Sequence, residues 1–255
     1  AILTQAATQF ITPLTFQSVT GQRAYTDADL WGNEAHVLHV GLGHQADLLV
    51  IAPATANTLG KLAHGTADDL LSLTALAATC PLVLAPAMDG GMFTHPATQA
   101  NVQILAGRGA ILIGPEEGHL ASGLVAKGRM TEPLALLGRI RHLLAQQGPL
   151  RGKKVVVSAG GTREAVDPVR YLTNHSSGKQ GFAIAQAALD AGADVTLITT
   201  AALPTPSGAY RIDVESAQEM LAAVLQECRA ADALVMAAAV ADFRPAQVAT
   251  QKKKK

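Results

Sequence analysis

The chain has 255 residues, of which 49% are hydrophobic, 16% charged and 4% aromatic, with 20 Lys and Arg balanced by 20 Asp and Glu. That composition excludes a disordered or collagen-like chain. The zero formal net charge, with Lys252 to Lys255 as the one dense basic run, argues against DNA or RNA as a partner. No apolar stretch reaches the roughly 18 residues of a membrane helix, so a soluble protein is expected. Cys80 and Cys228 stand far apart without a C-x-x-C, which argues against a disulfide framework or a zinc ribbon and fits a reducing cytoplasm. Residue 1 is Ala, and the chain is expected to begin inside a longer gene product.

Short apolar runs alternate with amphipathic stretches, the pattern of parallel strands joined by crossover helices, and the length suits two α/β domains. The spacing predicts a strand over Leu48 to Ala54, a helix to Ala63 stopped by Gly65, a second helix from about Ala67 to Ala78, and a strand over Pro81 to Ala87. A helix follows from His95 to Ala106 with Pro96 in its first turn, then a strand over Ala110 to Gly114. Leu134 to Gln146 is helical, and Gln146-Gln147-Gly148-Pro149 breaks it, so the domains are expected to be residues 1–147 and 151–255. Beyond the break, a strand over Lys154 to Ser158, a helix over Gly178 to Asp190 and a strand over Asp194 to Thr199 form a Rossmann-like βαβ unit. Ser216 caps a helix to Ala230, and Ala233 to Ala239 reads as the strand after it. No fixed-period repeat runs through the chain.

Gly41-x-Gly43-x-x-Ala46 imitates a dinucleotide fingerprint, but it precedes a strand instead of following one. Ser176-Ser177-Gly178-Lys179 imitates a phosphate loop, yet Gln180 holds the Ser/Thr place and Thr173 the first Gly place. The segment suits either an anion at a helix start or an ordinary cap. His36, His39 and His44 are open to three readings: a metal site, a catalytic base or surface histidines. No Asp, Glu or Cys completes a ligand set at helical spacing, which makes metal the weakest. Pro53-Ala54-Thr55-Ala56-Asn57-Thr58 and Pro86-Ala87-Met88-Asp89-Gly90-Gly91-Met92 each stand at a strand exit, where open α/β sheets bind ligands. Their small residues and Met side chains could together hold a flat aromatic ring.

His39-Val-Gly-Leu-Gly-His-Gln-Ala-Asp47, the Pro53 and Pro86 runs and Leu120-Ala-Ser122-Gly-Leu-Val-Ala-Lys-Gly128-Arg-Met130 resemble successive motifs of the flavin-dependent cysteine decarboxylases. Gly160-Gly161-Thr162-Arg163-Glu164, Asp167-Pro-Val-Arg-Tyr171, Ser176 to Lys179 and Ala238-Ala-Val-Ala-Asp242-Phe-Arg-Pro245 resemble the phosphopantothenate–cysteine ligases. Eight motifs in this order are similar to the bifunctional decarboxylase–ligase family of coenzyme A biosynthesis, over nearly the whole chain and short of both ends.

The resemblance implies a flavodoxin-like flavoprotein domain followed by a nucleotide-binding ligase domain, in a cytoplasmic enzyme whose small-molecule substrates are 4'-phosphopantothenate, cysteine and CTP. FMN would serve decarboxylation as an electron sink, and Mg2+ would accompany CTP in forming an acyl cytidylate. It also implies a homo-oligomer, trimer-based for the decarboxylase and dimeric for the ligase. By the same resemblance His39 is the active-site base or carboxylate partner. Thr4, Pro53, Ala54, Thr55, Asn57 and Met88 contact flavin. Gly160, Gly161, Met236, Ala237, Ala238 and Asp242 bind nucleotide, Asn174 serves the acyl cytidylate step, and Lys252 is the catalytic lysine and a nucleotide contact.

Two positions depart from the family pattern. Asp89 replaces an Asn that donates to the substrate carboxylate, and an ionised Asp can only accept. Ser122 replaces the Cys that protonates the enethiolate intermediate, and a hydroxyl is a far poorer acid than a thiol. These departures make a non-catalytic, flavin-fold regulatory subunit the alternative.

Overall fold

The computed structural model describes residues 1–31 and 37–252; His36 of the histidine group lies outside the described residues. The chain divides into two compact units, Ala1–Leu136 and Leu137–Lys255.

In the first unit Ile2 forms a parallel bridge with Tyr25, and helix α1 (Pro13–Thr20) lies between them in sequence, closed by Gly21. Helix α2 (Leu38–Gln45) then leads to strand β1 (Leu49–Ala54), followed by helices α3 (Ala56–His64) and α4 (Leu70–Ala77) and strand β2 (Leu82–Pro86). Helices α5 (Gly90–Thr94) and α6 (Pro96–Gly107) carry the chain to strand β3 (Ile111–Leu112). The three strands pair in parallel in the order β1-β2-β3. Ile51, Ala54, Leu59, Ala63, Leu84 and Leu105 form the core where α3 and α6 cover the sheet. An antiparallel hairpin, β4 (Glu116–His119) with β5 (Val125–Arg129), completes the unit.

Three sequence expectations change here. The histidine segment before β1 is the helix α2, and its Gly43 is buried where α2 meets Thr74, Ala77 and Ala78. Gly43 therefore serves close helix contact, while a Cβ on Gly41 would meet nothing within 4 Å. Helix α4 begins at Leu70 because Asp69 caps it, accepting from the Ser72 N–H at 2.7 Å while the Ser72 hydroxyl returns to the Asp69 backbone. The third strand is only two residues long, since Gly114 at φ 83° turns the chain away before Pro115.

Asp69 also sets a pH dependence. Burial raises its carboxyl, but the Lys61 ammonium at 2.7 Å and the Ser72 donors outweigh that and leave it below the ordinary value. A depressed folded pKa stabilises fully above the unfolded value of about 3.9 and is lost as pH falls through the folded value. Acid unfolding of the first unit should therefore shift to higher pH in Lys61→Met. Circular dichroism across pH 2–5 tests this; an unshifted midpoint contradicts it.

The second unit takes in most of helix α7 (Pro133–Ala145), whose Arg141 makes a two-pronged ion pair with Asp190. It continues with strand β6 (Lys154–Ala159), the short strands β7 (Arg163–Ala165) and β8 (Tyr171–Thr173), helix α8 (Lys179–Asp190) and strands β9 (Asp194–Thr199) and β10 (Tyr210–Asp213). Helix α9 (Ala217–Glu227) and strand β11 (Ala233–Met236) end the ordered elements. The sheet is parallel in the order β10-β9-β6-β11. Val155, Val157, Ala159 and Leu197 pack with Phe182, Ala185 and Leu189 of α8, whereas Val156 and Ile198 pack with Met220 and Val224 of α9. Successive strand residues face opposite layers, so continuous apolar runs mark a sheet covered on both sides.

The last strand is shorter than Ala233 to Ala239. Past Met236 the backbone leaves regular pairing, because the Ala237 and Ala238 N–H groups donate to the Ser158 carbonyl (3.2 Å) and hydroxyl (3.3 Å).

Candidate functional sites

In the first unit the strand exits of β1 and β2 lie side by side, with Ala54 paired to Pro86 and the Ala87 N–H donating to the Ala54 carbonyl at 3.1 Å. Thr55 caps α3, accepting from the Thr58 N–H at 3.2 Å, and its hydroxyl lies 3.1 Å from that of Thr58. Pro53, Thr55 and Asn57 are exposed, while Ala54 is buried and Met88 packs partly buried against the core. This edge offers small apolar surface beside uncharged hydroxyl and amide groups. That chemistry fits a flat, neutral heteroaromatic ring with carbonyl and N–H groups along its rim.

The β4–β5 hairpin is seated on the same edge by backbone contact. The Met88 N–H donates to the Gly128 carbonyl at 3.0 Å, and a Cβ built on Gly128 would stand 2.2 Å from the Met88 carbonyl oxygen. A Cβ on Gly90 would meet the Ala126 side chain at 2.6 Å. Only glycines permit this approach. It brings the hairpin tip over Asp89: the Ser122 hydroxyl donates to Asp89 Oδ2 at 2.8 Å, and Asp89 Oδ1 accepts from the Gly91 N–H at 2.9 Å as the cap of α5. The Ser122 hydroxyl, followed by the Gly91 N–H, holds the Asp89 carboxyl below the ordinary carboxylate range. The two residues that depart from the family pattern are thus bonded to each other, a contact invisible at a separation of 33 residues.

The other expected residues stand apart from this pair. His39 lies half-buried on the first turn of α2 and makes no hydrogen bond among the described residues. Thr4 accepts from the Ala7 N–H at 3.2 Å and opens the short turn Ala7–Gln9. Among the described residues no three His, Cys, Asp or Glu side chains gather as a metal site.

In the second unit the exits of β6, β9 and β11 are knitted together. Gly160 turns at φ 93° with a Cβ position 2.3 Å from the Thr200 hydroxyl, and Gly161 bridges to Ala239. The Ala239 N–H donates to the Gly160 carbonyl at 2.8 Å, the Thr162 hydroxyl accepts from the Ala241 N–H at 2.9 Å, and the Asn174 amide donates to the Val240 carbonyl at 3.0 Å. Gly160, Gly161, Asn174, Ala237 and Ala238 therefore share one edge. Helix α8 starts there from Gly178, at φ 74°; the Gly178 and Lys179 N–H groups donate at 3.4 Å to the Ser176 and Ser177 hydroxyls, and the N–H groups of the next residues present partial positive charge to an incoming anion. Met236 and Asp242 border this edge and are exposed. Lys252 is exposed and unbonded among the described residues, three residues after Ala249, whose N–H donates to the Val166 carbonyl at 3.1 Å.

Two motif residues missed as structural supports also appear. Buried Glu164 accepts from the Ala217 N–H at 2.9 Å at the start of α9, and buried Asp167 accepts from the Val169 and Arg170 N–H groups and pairs with the Arg170 guanidinium at 2.6 Å.

Parallel sheets whose strand exits carry small residues, with helices starting beside them, define an open α/β ligand-binding protein. The Flavoprotein family model matches residues 1–145, and the chain belongs to that family. Residues 150–255 match the DNA/pantothenate metabolism flavoprotein C-terminal domain. Over its whole length the chain is 46% identical to the coenzyme A biosynthesis bifunctional protein CoaBC of Bacillus subtilis and 48% identical to that of Vibrio cholerae, and it spans 64% of each. Among solved structures, a cysteine-to-serine mutant of PPC decarboxylase complexed with pantothenoylaminoethenethiol is 38% identical, with a TM-score of 0.52 over 56% of this chain and 81% of that one. The FMN binding protein AtHal3 is 37% identical, with a TM-score of 0.52 over 58% of this chain and 82% of that one.

Proposed function

We propose that the protein containing this chain performs two steps of coenzyme A biosynthesis. The second unit takes part in CTP-dependent ligation of cysteine to 4'-phosphopantothenate through an acyl cytidylate. The first decarboxylates the resulting phosphopantothenoylcysteine to phosphopantetheine with FMN. The observation that carries the reading is the convergence of the two flavoprotein-type strand exits with Asp89 and Ser122 at one sheet edge.

Pro53, Ala54, Thr55, Asn57 and Met88 would hold the flavin ring, with Thr4 toward its phosphate end. Bound there, FMN supplies a reversible two-electron sink that lets the carboxylate depart. His39 holds or moves the substrate proton, Asp89 faces the substrate carboxylate, and Ser122 faces the carbon that loses it. In the second unit Gly160, Gly161, Met236, Ala237, Ala238 and Asp242 would bind CTP, and the open start of α8 its phosphates. Asn174 would orient the acyl cytidylate, and Lys252 would stabilise the charge that develops there. Mg2+ would accompany CTP through its phosphates, since the described residues form no metal cluster of their own.

Exposed Phe10, Leu14, Val19 and Trp31 support assembly of the first unit into a homo-oligomer; the family resemblance points to a trimer-based first unit and a dimeric second. Zero net charge supports small molecules over nucleic acids as partners. No helix among the described residues is long and apolar enough to cross a membrane, and Cys80 and Cys228 are free, which supports a cytoplasmic setting.

The replacement of the family's Asn and Cys by Asp89 and Ser122 favours one rival, a non-catalytic regulatory subunit. Supplying FMN-loaded protein with phosphopantothenoylcysteine separates the two: CO2 release is expected, and flavin binding without release supports the rival. CTP, and not ATP or NAD, should raise the unfolding temperature of the second unit; equal protection by all three contradicts the ligase reading.

A further inference from the structure

We propose that Asp89 and Ser122 act together as the proton carrier of the decarboxylation, loaded when the substrate's carboxylate docks and discharged when loss of CO2 moves that negative charge away toward the substrate's sulfur. This inference rests on the function proposed above. The geometry supplies its parts: the Ser122 hydroxyl 2.8 Å from Asp89 Oδ2, the second oxygen fixed by the Gly91 N–H, and a carboxyl group open to water from which it can be reprotonated.

In the ligand-free protein Asp89 favours its ionised form, since both hydrogen bonds donate to the carboxylate. The charged and titratable groups on the elements around it are Lys127 and Arg129 of β5, Glu116, Glu117 and His119 of β4 and His95 ahead of α6. The depression of Asp89 comes from the two hydrogen bonds and from none of these charges. A substrate carboxylate placed against Asp89 reverses the balance. Two carboxylates sharing one site do not both stay ionised, so the pair takes up one proton from water, which then bridges the two groups.

Loss of CO2 breaks the bond between the carboxyl carbon and its neighbour and leaves the electron pair on the substrate, delocalised toward sulfur. CO2 leaves neutral and the negative charge moves from the carboxylate toward sulfur, so the carboxylate that held the extra proton on Asp89 is gone and its acidity returns. Ser122 gives its hydroxyl proton to the substrate carbon and takes the Asp89 proton in exchange, restoring the starting carboxylate and hydroxyl. One C–C bond is replaced by one C–H bond, and the single proton consumed is the one taken up on binding. The hydride that flavin would carry from the substrate's CH2–SH group and the thiol proton lost with it both return at the end, so they cancel over the cycle. On this account the carboxylate at position 89 makes a serine, by itself a poor acid, competent to protonate carbon.

The test is isothermal titration calorimetry of FMN-loaded protein in buffers of different ionisation enthalpy near pH 6.5. One ligand is the S-methyl ether of phosphopantothenoylcysteine, which lacks the thiol needed for turnover; the other is the same molecule without its carboxylate. The carboxylate ligand should take up about one proton more per site, and this difference should vanish in Asp89→Asn, which keeps an acceptor for Ser122 but needs no proton to donate. Ser122→Ala should keep the uptake, and with true substrate it should release CO2 while accumulating the unreduced enethiol; Ser122→Cys in the Asp89→Asn background should restore full reduction. A pair that only pins the hairpin predicts equal uptake in wild type and Asp89→Asn. Equal uptake, or no difference between the two ligands, overturns the proposal. CO2 release without the extra proton overturns the pair's role and leaves the proposed function standing, whereas no CO2 release removes both.

Discussion

Gly128→Val should lower formation of the reduced, decarboxylated thiol about 100-fold and destabilise the first unit by about 1–3 kcal/mol, the usual cost of forcing volume into a packed contact. A Cβ at this position stands 2.2 Å from the Met88 carbonyl oxygen, 3.2 Å from the Gly90 nitrogen and 3.3 Å from the Asp89 carbonyl carbon. All three are backbone atoms, which no rotamer change can move aside. The hairpin has to lift, breaking the bond from the Met88 N–H to the Gly128 carbonyl and withdrawing Ser122 from Asp89. A misplacement on the order of 1 Å between reacting groups costs about 100-fold in rate. Denaturant unfolding and phosphopantetheine formation measured on the same preparation test both halves of the expectation. A variant as active as wild type would show that the hairpin does not form the site.

The second large effect is expected at His39. His39→Asn keeps a polar side chain on the first turn of α2 but removes the imidazole, and proton transfer by a positioned side chain contributes roughly 10²–10⁴-fold. CO2 release should fall by that range while flavin stays bound, because His39 is not among the residues assigned to the ring. His44, five residues on in the same helix, points roughly 140° away around the helix axis, so His44→Asn should stay within about twofold of wild type. Equal losses in the two variants would mean that α2 has been damaged as a whole.

The parallel sheets were legible because their central strands β2, β6 and β9 are buried almost throughout and read as nearly unbroken apolar runs. Asp194 to Thr199 is found with its expected bounds, and β1, β2 and β6 lie within a residue or so of theirs. The β4–β5 hairpin was not legible. Glu116, Glu117, Gly118 and His119 carry no hydrophobic alternation, because this strand pair is seated by glycine and backbone and not by a greasy face. Helix α2 was hidden by Gly41 and Gly43, which suggest a turn until the close contact with α4 is seen.

For the site, motif resemblance located the two strand exits, and the structure shows them adjacent. Spacing alone could not show that Asp89 and Ser122 meet, since that depends on where the hairpin lands. The coupling matters chemically: taken singly, each departure from the family pattern weakens the site, whereas together they form a hydrogen-bonded acid and hydroxyl.

The central claim is that the edge formed by Pro53 to Asn57 and Met88 to Ser122 accepts a flavin that lends and recovers an electron pair. Its most direct test is anaerobic absorbance of the full-length protein titrated first with FMN and then with phosphopantothenoylcysteine. Stoichiometric binding of the yellow cofactor, transient bleaching on substrate addition and full return of colour as CO2 appears are predicted. A protein that stays colourless after FMN addition, or whose bound flavin never bleaches while CO2 is released, would contradict the account.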